Sequence, residues 1–276
     1  MENGDAVEVS GNGAEVVRNR ITGTDDAAVD VDGDDTLVSA NRISGSYGGI
    51  EVTGQRPVVT KNRLVGTVSG GESIDVTCNT DCTGAMVSSN RTDDIGDDTE
   101  AFDISSDAAG LLVEKNSTRN GIDTGFSLDI EGATVSKNRV RGTGGDGEDC
   151  FDVDGDNNEI SRNAAEYCMG NGFTVQGASN TLERNRARHA AEDGFQVRTS
   201  STNTTLTSNR SDDNGLTGYR IQDGGTPATG TTLTNNRGRR SRYDLCDEGA
   251  TTTRTGNSFG TELAVTQDGT QDCPTF

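Results

Sequence analysis

Residues 148–156 place five carboxylates, Glu148, Asp149, Asp152, Asp154 and Asp156, within nine positions. Asp152, Asp154 and Asp156 around Gly155 look at first like the opening of a calcium loop, in which hard oxygen ligands at alternate positions gather one ion. The same spacing also fits a strand, where alternation sends Asp152 and Asp154 to one side and Phe151 and Val153 to the other. Carboxylates held close on such a surface raise one another's pKa or gather a cation, and either state serves catalysis. The elements that carry the run decide between the two.

The chain repeats. An apolar residue three places before an asparagine recurs at Asn19, Asn41, Asn62, Asn90, Asn116, Asn138, Asn163, Asn185, Asn209, Asn236 and Asn257, with gaps of 21 to 28 residues. The apolar position fails only at Arg254. Upstream of each lies an apolar-x-apolar pair, from Val7/Val9 through Phe102/Ile104, Phe151/Val153 and Tyr243/Leu245 to a final Leu263/Val265. Period-two alternation of this kind marks strands. Such a unit cannot bury its apolar side alone but can when stacked, which predicts an all-β parallel solenoid of about 11–12 coils. It forms one domain over 1–276, with 266–276 as a C-terminal tail or cap. Seven successive aromatics from Phe102 to Tyr243 are expected to stack inside it. The asparagines are expected at buried turns, where an amide both donates and accepts between coils. The sequons at Asn90, Asn116 and Asn209 are then inaccessible, leaving Asn203 as the one to consider.

Composition agrees with a repeat. Only 29% of the 276 residues are apolar and 37 are Gly, too little apolar material for an ordinary core. The net charge is −21, from 30 Asp and 15 Glu against 21 Arg and 3 Lys. A surface of that sign repels nucleic-acid phosphates and anionic membranes, and an Asp-rich, Lys-poor balance resembles proteins of salt-loving organisms. No stretch is apolar enough to insert in a membrane, and the N-terminus lacks the regions of a signal peptide. Six cysteines imply disulfides and an oxidising compartment, with Cys78/Cys82, Cys150/Cys168 and Cys246/Cys273 the favoured pairing and other connectivities open.

With Phe151 and Val153 inward, the outward positions of the first strand in each coil can be aligned along the stack. One row is Glu8, Asp30, Glu51, Asp75, Asp103, Ser127, Asp152, Thr174, Gln196, Arg220 and Asp244; the other passes through Asp129, Asp154, Gln176 and Arg198 to Cys246. Acid fills the N-terminal coils, while amides and arginines follow. The junction, on coils 6–10, is the candidate site; a solvated acidic face is the plain alternative. The residue after the ladder asparagine is Arg at 20, 42, 63, 91, 139, 186, 210 and 237, a cationic stripe for which nearby carboxylates or an anionic polysaccharide are the two partners to weigh.

Along nearly its whole length the pattern resembles the right-handed parallel β-helix superfamily typified by pectate lyases, polygalacturonases and alginate epimerases. The resemblance implies a single-stranded right-handed β-helix with a substrate groove on the outward face of the first strands. Strand signals by residue 7 leave no room for the superfamily's capping helix, the expectation being a fragment of a longer protein or an unusual cap. "DTGFSL", "GEDCFDV", "GNGFTV" and "DGFQVRT" occupy consecutive coils much as the polygalacturonase motifs do. On that likeness Glu148, Asp149 and Cys150 resemble the paired-carboxylate stretch, Asn171 stands at the His turn, and Gln196 to Arg198 at the basic one. Thr124 and Asn171 depart from the family's Asp and His, which puts inverting hydrolysis in doubt. A pectate-lyase-like reading instead implies calcium at Asp129, Asp152 and Asp154, with Arg198 or Arg220 as base.

The expectation is therefore an extracellular or cell-surface β-helix that binds or acts on carbohydrate, as a lyase or hydrolase of an acidic, uronate polysaccharide. Candidate catalytic residues are Glu148, Asp149, Asp152 and Arg198, and candidate substrate contacts are Asn171, Gln176, Gln196 and Arg220. The only cofactor indicated is calcium; no organic cofactor, nucleic-acid partner or membrane insertion is expected. The rival is a non-catalytic structural or adhesive surface module.

Overall fold

The computed structural model describes residues 4–67, 71–96, 100–121, 123–144, 148–222, 226–264 and Cys273. Val265 of the final apolar pair and nearly all of the expected 266–276 tail lie outside them. Each coil supplies one short strand to each of three parallel sheets, which hold 12, 11 and 10 strands among the described residues. All pairings are parallel and join a strand to its equivalent one coil away, as Phe126 with Phe151 and Val135 with Ile160. The architecture is the expected right-handed β-solenoid. Among the described residues no helix is long and apolar enough to cross a membrane.

Alternation builds the interior. Val29 and Val31, Ile50 and Val52, and Ile74 and Val76 fill the N-terminal coils and are fully or almost fully buried. From Phe102 onward the first position becomes aromatic. Phe102, Phe126, Phe151, Phe173, Phe195 and Tyr219 stack with centroids 4.4–5.0 Å apart and planes within 9° of parallel. The stack has six members, not the seven expected. Arg220 pairs with Cys246 and Ile221 with Asp247, so Leu245 takes the inward place beside Tyr219 and Tyr243 lies two residues short of it, partly exposed. Phe259 closes the column, tilted by 56° against Tyr219. The same shift removes Asp244 from the outward row. It is buried and accepts hydrogen bonds from the backbone of Ser241, Gly260 and Thr261. Leu263 likewise pairs with Cys246 rather than continuing the inward column.

The asparagine ladder is complete from Asn19 to Asn257. Asn138 shows the pattern: its Nδ2 donates to Val113 O one coil back and to Asn163 Oδ1, while its own Oδ1 accepts from the amide and side chain of Asn116. The residue before each ladder asparagine has a positive φ, as at Arg18, Lys61, Lys137 and Arg162, and only the last of these positions is glycine, Gly256. A left-handed residue with a side chain costs about 1–2 kcal/mol, so each turn is held by the amide bonds that follow it. Asn90, Asn116 and Asn209 are buried and Asn203 is exposed, as the sequon argument requires. All three disulfides are the favoured pairs.

Gly155 settles the calcium-loop question. Its φ is +104°, and a Cβ there would lie 2.1 Å from Ile130 O of the preceding coil. The glycine serves coil stacking, and Phe151–Asp154 is a strand flanked by coils rather than by helices.

Replacing Asn138 with Ala would leave the backbone amide of Asn116 buried without a partner, at about 1–3 kcal/mol. Asn138→Ala is expected to lower the urea midpoint by that order, whereas Glu159→Gln, at an exposed strand position, leaves it within error.

Candidate functional site

The first sheet aligns Glu8, Asp30, Glu51, Asp75 and Asp103 in one outward row, followed by Ser127, Asp152, Thr174, Gln196 and Arg220. In the other row Asp129 stands beside Asp154. Gln176 and Arg198 follow the ends of their strands, with backbone amides still bonded to Val153 and Val175. Acidic and basic stretches of the face meet at Asp152, as the alternation predicts.

Two of the expected site residues have a different task. Asp149 lies two places before Phe151, is buried, and accepts from the Asn171 amide and the Thr174 hydroxyl, both at 2.5 Å. Asn171 Oδ1 accepts from the Asp193 amide in turn, and Asp193 Oδ1 accepts from the amide and hydroxyl of Thr217. Residues two places before successive inward aromatics thus form a second polar ladder, Asp149, Asn171, Asp193 and Thr217. It satisfies turn amides that the parallel stack would otherwise bury bare. Asp149 and Asn171, expected as a catalytic acid and a substrate contact, are committed to it. The signal was present as the recurring Asp/Asn-Gly-aromatic motif, but the same motif resembles an active-site turn. Burial pushes the Asp149 and Asp193 carboxyls upward, against the hydrogen bonds they accept.

Other expected contacts are also drawn inward. Gln196 is nearly buried. Arg220, 12% exposed, lies 3.9 Å from Asp193 and 3.7 Å from Glu248. Gln176 is exposed. Glu148 accepts from the Thr124 hydroxyl at 3.0 Å, and burial raises its pKa. Glu192, in the equivalent turn one coil on from residue 170, is raised by burial too, with Asp149 and Asp193 adding to it.

Asp152 remains partly exposed on the outer face. Its Oδ2 lies 3.3 Å from Arg198 Nη2, and its Oδ1 is enclosed without any hydrogen-bond partner. Asp154 Oδ1 is enclosed and unpartnered as well. Burial pushes the Asp152 pKa up to about 6, with Asp149 and Asp154 adding to that effect and Arg198 opposing it. Burial also raises Asp154, again against Arg198. A carboxylate able to change protonation near neutrality therefore stands on the open face with a guanidinium against it and an oxygen left unbonded.

Among the described residues, the three-carboxylate group compact enough for one cation is Glu72, Glu100 and Asp103, whose ligand atoms lie within 4.8 Å of one another. Asp129, Asp152 and Asp154 share a face but are not gathered in this way. Asp152 and Asp154 sit two places apart on one strand, Asp129 pairs with Asp154 from the coil before, and Arg198 lies against Asp152.

A family model described as "Right handed beta helix region" matches residues 5–152 and 104–259. No curated protein sequence matches the chain significantly. Among solved structures, the periplasmic alginate epimerase AlgG superposes with a TM-score of 0.51 at 14% identity, covering 83% of this chain and 77% of the other, in a double-mutant form. A GH87 alpha-1,3-glucanase catalytic domain in complex with tetrasaccharides gives 0.46 at 14% identity, over 89% of this chain and 50% of that one. The GH87 alpha-1,3-glucanase catalytic unit from Streptomyces thermodiastaticus gives 0.47 at 14%, over 95% and 65%. At these identities the likeness is one of fold.

The acidic rows carry a stability signature. Burial and neighbouring carboxylates raise Asp75 and Glu100 to about 7. Since both titrate lower when unfolded, the native state holds extra protons between about pH 4 and 7, and stability falls as pH rises through that window. Thermal midpoints at low ionic strength are expected to drop from pH 4.5 to 7.5 and to recover in molar salt. Asp75→Asn with Glu100→Gln should raise the midpoint at pH 7.5 and flatten the slope.

Proposed function

The chain belongs to the right-handed β-helix family, and on that premise we propose that its first sheet holds an acidic, uronate-bearing polysaccharide and transfers a proton from it, with Asp152 as base. The observation that carries this reading is the Asp152–Arg198 pair, one titratable carboxylate with an unbonded oxygen beside one guanidinium on the open face.

Inverting hydrolysis needs two free carboxyl groups on opposite sides of the scissile bond. With Asp149 held in the turn ladder and Glu148 bonded to the Thr124 hydroxyl, the carboxyls here with unbonded oxygens are Asp152 and Asp154, on one strand and on the same side of it. A single base beside a cation suits abstraction of the proton next to a uronate carboxylate. Asp152 takes the C5 proton, and the charge that develops spreads onto the sugar carboxylate, where Arg198 stabilises it. The electron pair forms the C4–C5 double bond as the C4–O bond breaks, and water protonates the departing oxygen. In this scheme Arg198 supplies the positive charge that the pectate-lyase-like expectation assigned to calcium. Asp154 and Gln176, neighbours in the second outward row, are the further contacts for the sugar. The three disulfides favour an extracellular or cell-surface setting.

Polygalacturonate and alginate, each with and without EDTA, test the proposal by absorbance at 235 nm. Product is expected in EDTA, with a rate that rises with pH through about 6 as Asp152 loses its proton. Asp152→Asn should cost about 10²–10⁴-fold in kcat with folding unchanged. Arg198→Ala removes the opposing cation, so the acid limb should move to higher pH while the rate falls. New reducing ends without absorbance would replace the lyase reading with hydrolysis, and an active Asp152→Asn variant would remove Asp152 as base.

A further inference from the structure

The third sheet bears the opposite charge. Its strands begin at the residue after each ladder asparagine, and their register lines up Arg20, Arg42, Arg63 and Arg91 in consecutive coils. A second outward row brings Arg119 beside Arg141, and further along places Arg188 and Arg239. Twelve of the 21 arginines project from this one face, against three carboxylates, Asp93, Glu166 and Asp212. A protein of net charge −21 has sorted most of its arginines onto a single side.

The three carboxylates do not neutralise it. Asp93 is nearly buried beneath the face and takes Arg91 at 2.8 Å and Arg119 at 2.6 Å. Burial pushes its pKa up, but the hydrogen bonds from Arg91 and Arg119 outweigh that and hold it low. Glu166 takes Arg139, and Asp212 takes Arg210. Among the described residues Arg20, Arg42, Arg141, Arg188, Arg237 and Arg239 have no carboxylate within ion-pair distance. Two shallow pockets open on the sheet, of about 240 Å³ between Arg91, Arg119, Arg139 and Arg141 and about 190 Å³ between Arg20, Arg42 and Arg63. At the edge of the face Tyr167 is 47% exposed, with Arg141 5.8 Å from its ring centroid and His189 stacked on its other side at 4.9 Å.

We infer that this face is a second binding surface, separate from the Asp152 groove, for a linear carboxylated polysaccharide lying along the axis of the rod. Every strand of the sheet except Ala164–Glu166 carries at least one guanidinium, and successive coils lie about 4.8 Å apart, the length scale on which an extended chain of uronate rings repeats its carboxylates. Each planar carboxylate can take two parallel N–H bonds from an arginine, and Tyr167 offers a flat ring for a sugar face. Nucleic acid fits less well. The phosphates of a duplex wind away from a straight row and carry the bulk of the polymer against a strongly acidic rod. Single strands bind through a series of exposed aromatics, whereas the large apolar side chains exposed here are Tyr47, Tyr167 and Met169, scattered among the described residues.

Electrophoresis of the whole chain through gels containing polygalacturonate, neutral dextran or no polymer tests the surface. Retardation is expected in polygalacturonate alone, weakening as salt is added. The triple variant Arg42→Gln, Arg141→Gln, Arg239→Gln removes three arginines that neutralise no carboxylate, so its thermal midpoint should hold while its affinity falls by roughly tenfold or more. The matching variant with Lys at the three positions should recover part of the loss. Asp152→Asn, which tests the groove, should leave retardation unchanged. Retardation that survives the triple Gln variant, follows Asp152→Asn instead, is matched by a duplex oligonucleotide, or reflects concentration-dependent self-association in sedimentation would overturn the inference.

Discussion

The buried asparagine ladder is the interaction on which the rest of this molecule depends. Each amide closes bonds to the coil before and the coil after, and it does so next to a turn residue held in the left-handed region. Removing those bonds would leave polar groups in a dry interior and a strained turn with nothing to hold it. Because the ladder has no slack, every coil is set in register with its neighbours, and a residue type repeated in sequence becomes a column in space.

That registration explains how a chain with so little apolar material has a continuous core. Six aromatic rings lie face to face at 4.4–5.0 Å because their backbones are locked one coil apart. The same rule stacks like charges, which no isolated strand would choose. Asp75 and Glu100 respond by holding protons up to about pH 7, the physical cost of acidic rows half-shielded from water. On the third sheet the rule stacks arginines instead, and three carboxylates set among them hold part of the row together.

Around residue 150 structure and chemistry compete for the same residue types. Asp149, Asn171 and Asp193 form a turn ladder whose amide and carboxylate oxygens replace the hydrogen bonds that turn amides lose on stacking. Asp152 and Asp154, only a few residues along, keep oxygens that no protein group satisfies. Asp193 Oδ2 is unbonded too, so it is place that separates them: Asp193 is fully buried in the turn, whereas Asp152 is partly exposed on the outer face, in a family whose members share coils but not reactions.

Period-two alternation and the spacing of the asparagines were enough to read the solenoid, its interior columns and its outward rows directly from the chain, because in-register stacking converts linear periodicity into geometry. Where periodicity drifts, the reading fails. Tyr243 and Asp244 match the repeat by type, yet the coil there shifts by two residues, so Leu245 fills the column and Asp244 turns inward. Nor did sequence separate the tasks of Asp149 and Asp152, since both are aspartates within two places of the same phenylalanine. Which of them is enclosed and fully bonded, which faces Arg198 two coils away, and which acidic residues converge at Glu72, Glu100 and Asp103 depend on distances between coils. Those distances are set by the curvature and turn lengths of the stacked chain, which a one-dimensional pattern does not contain.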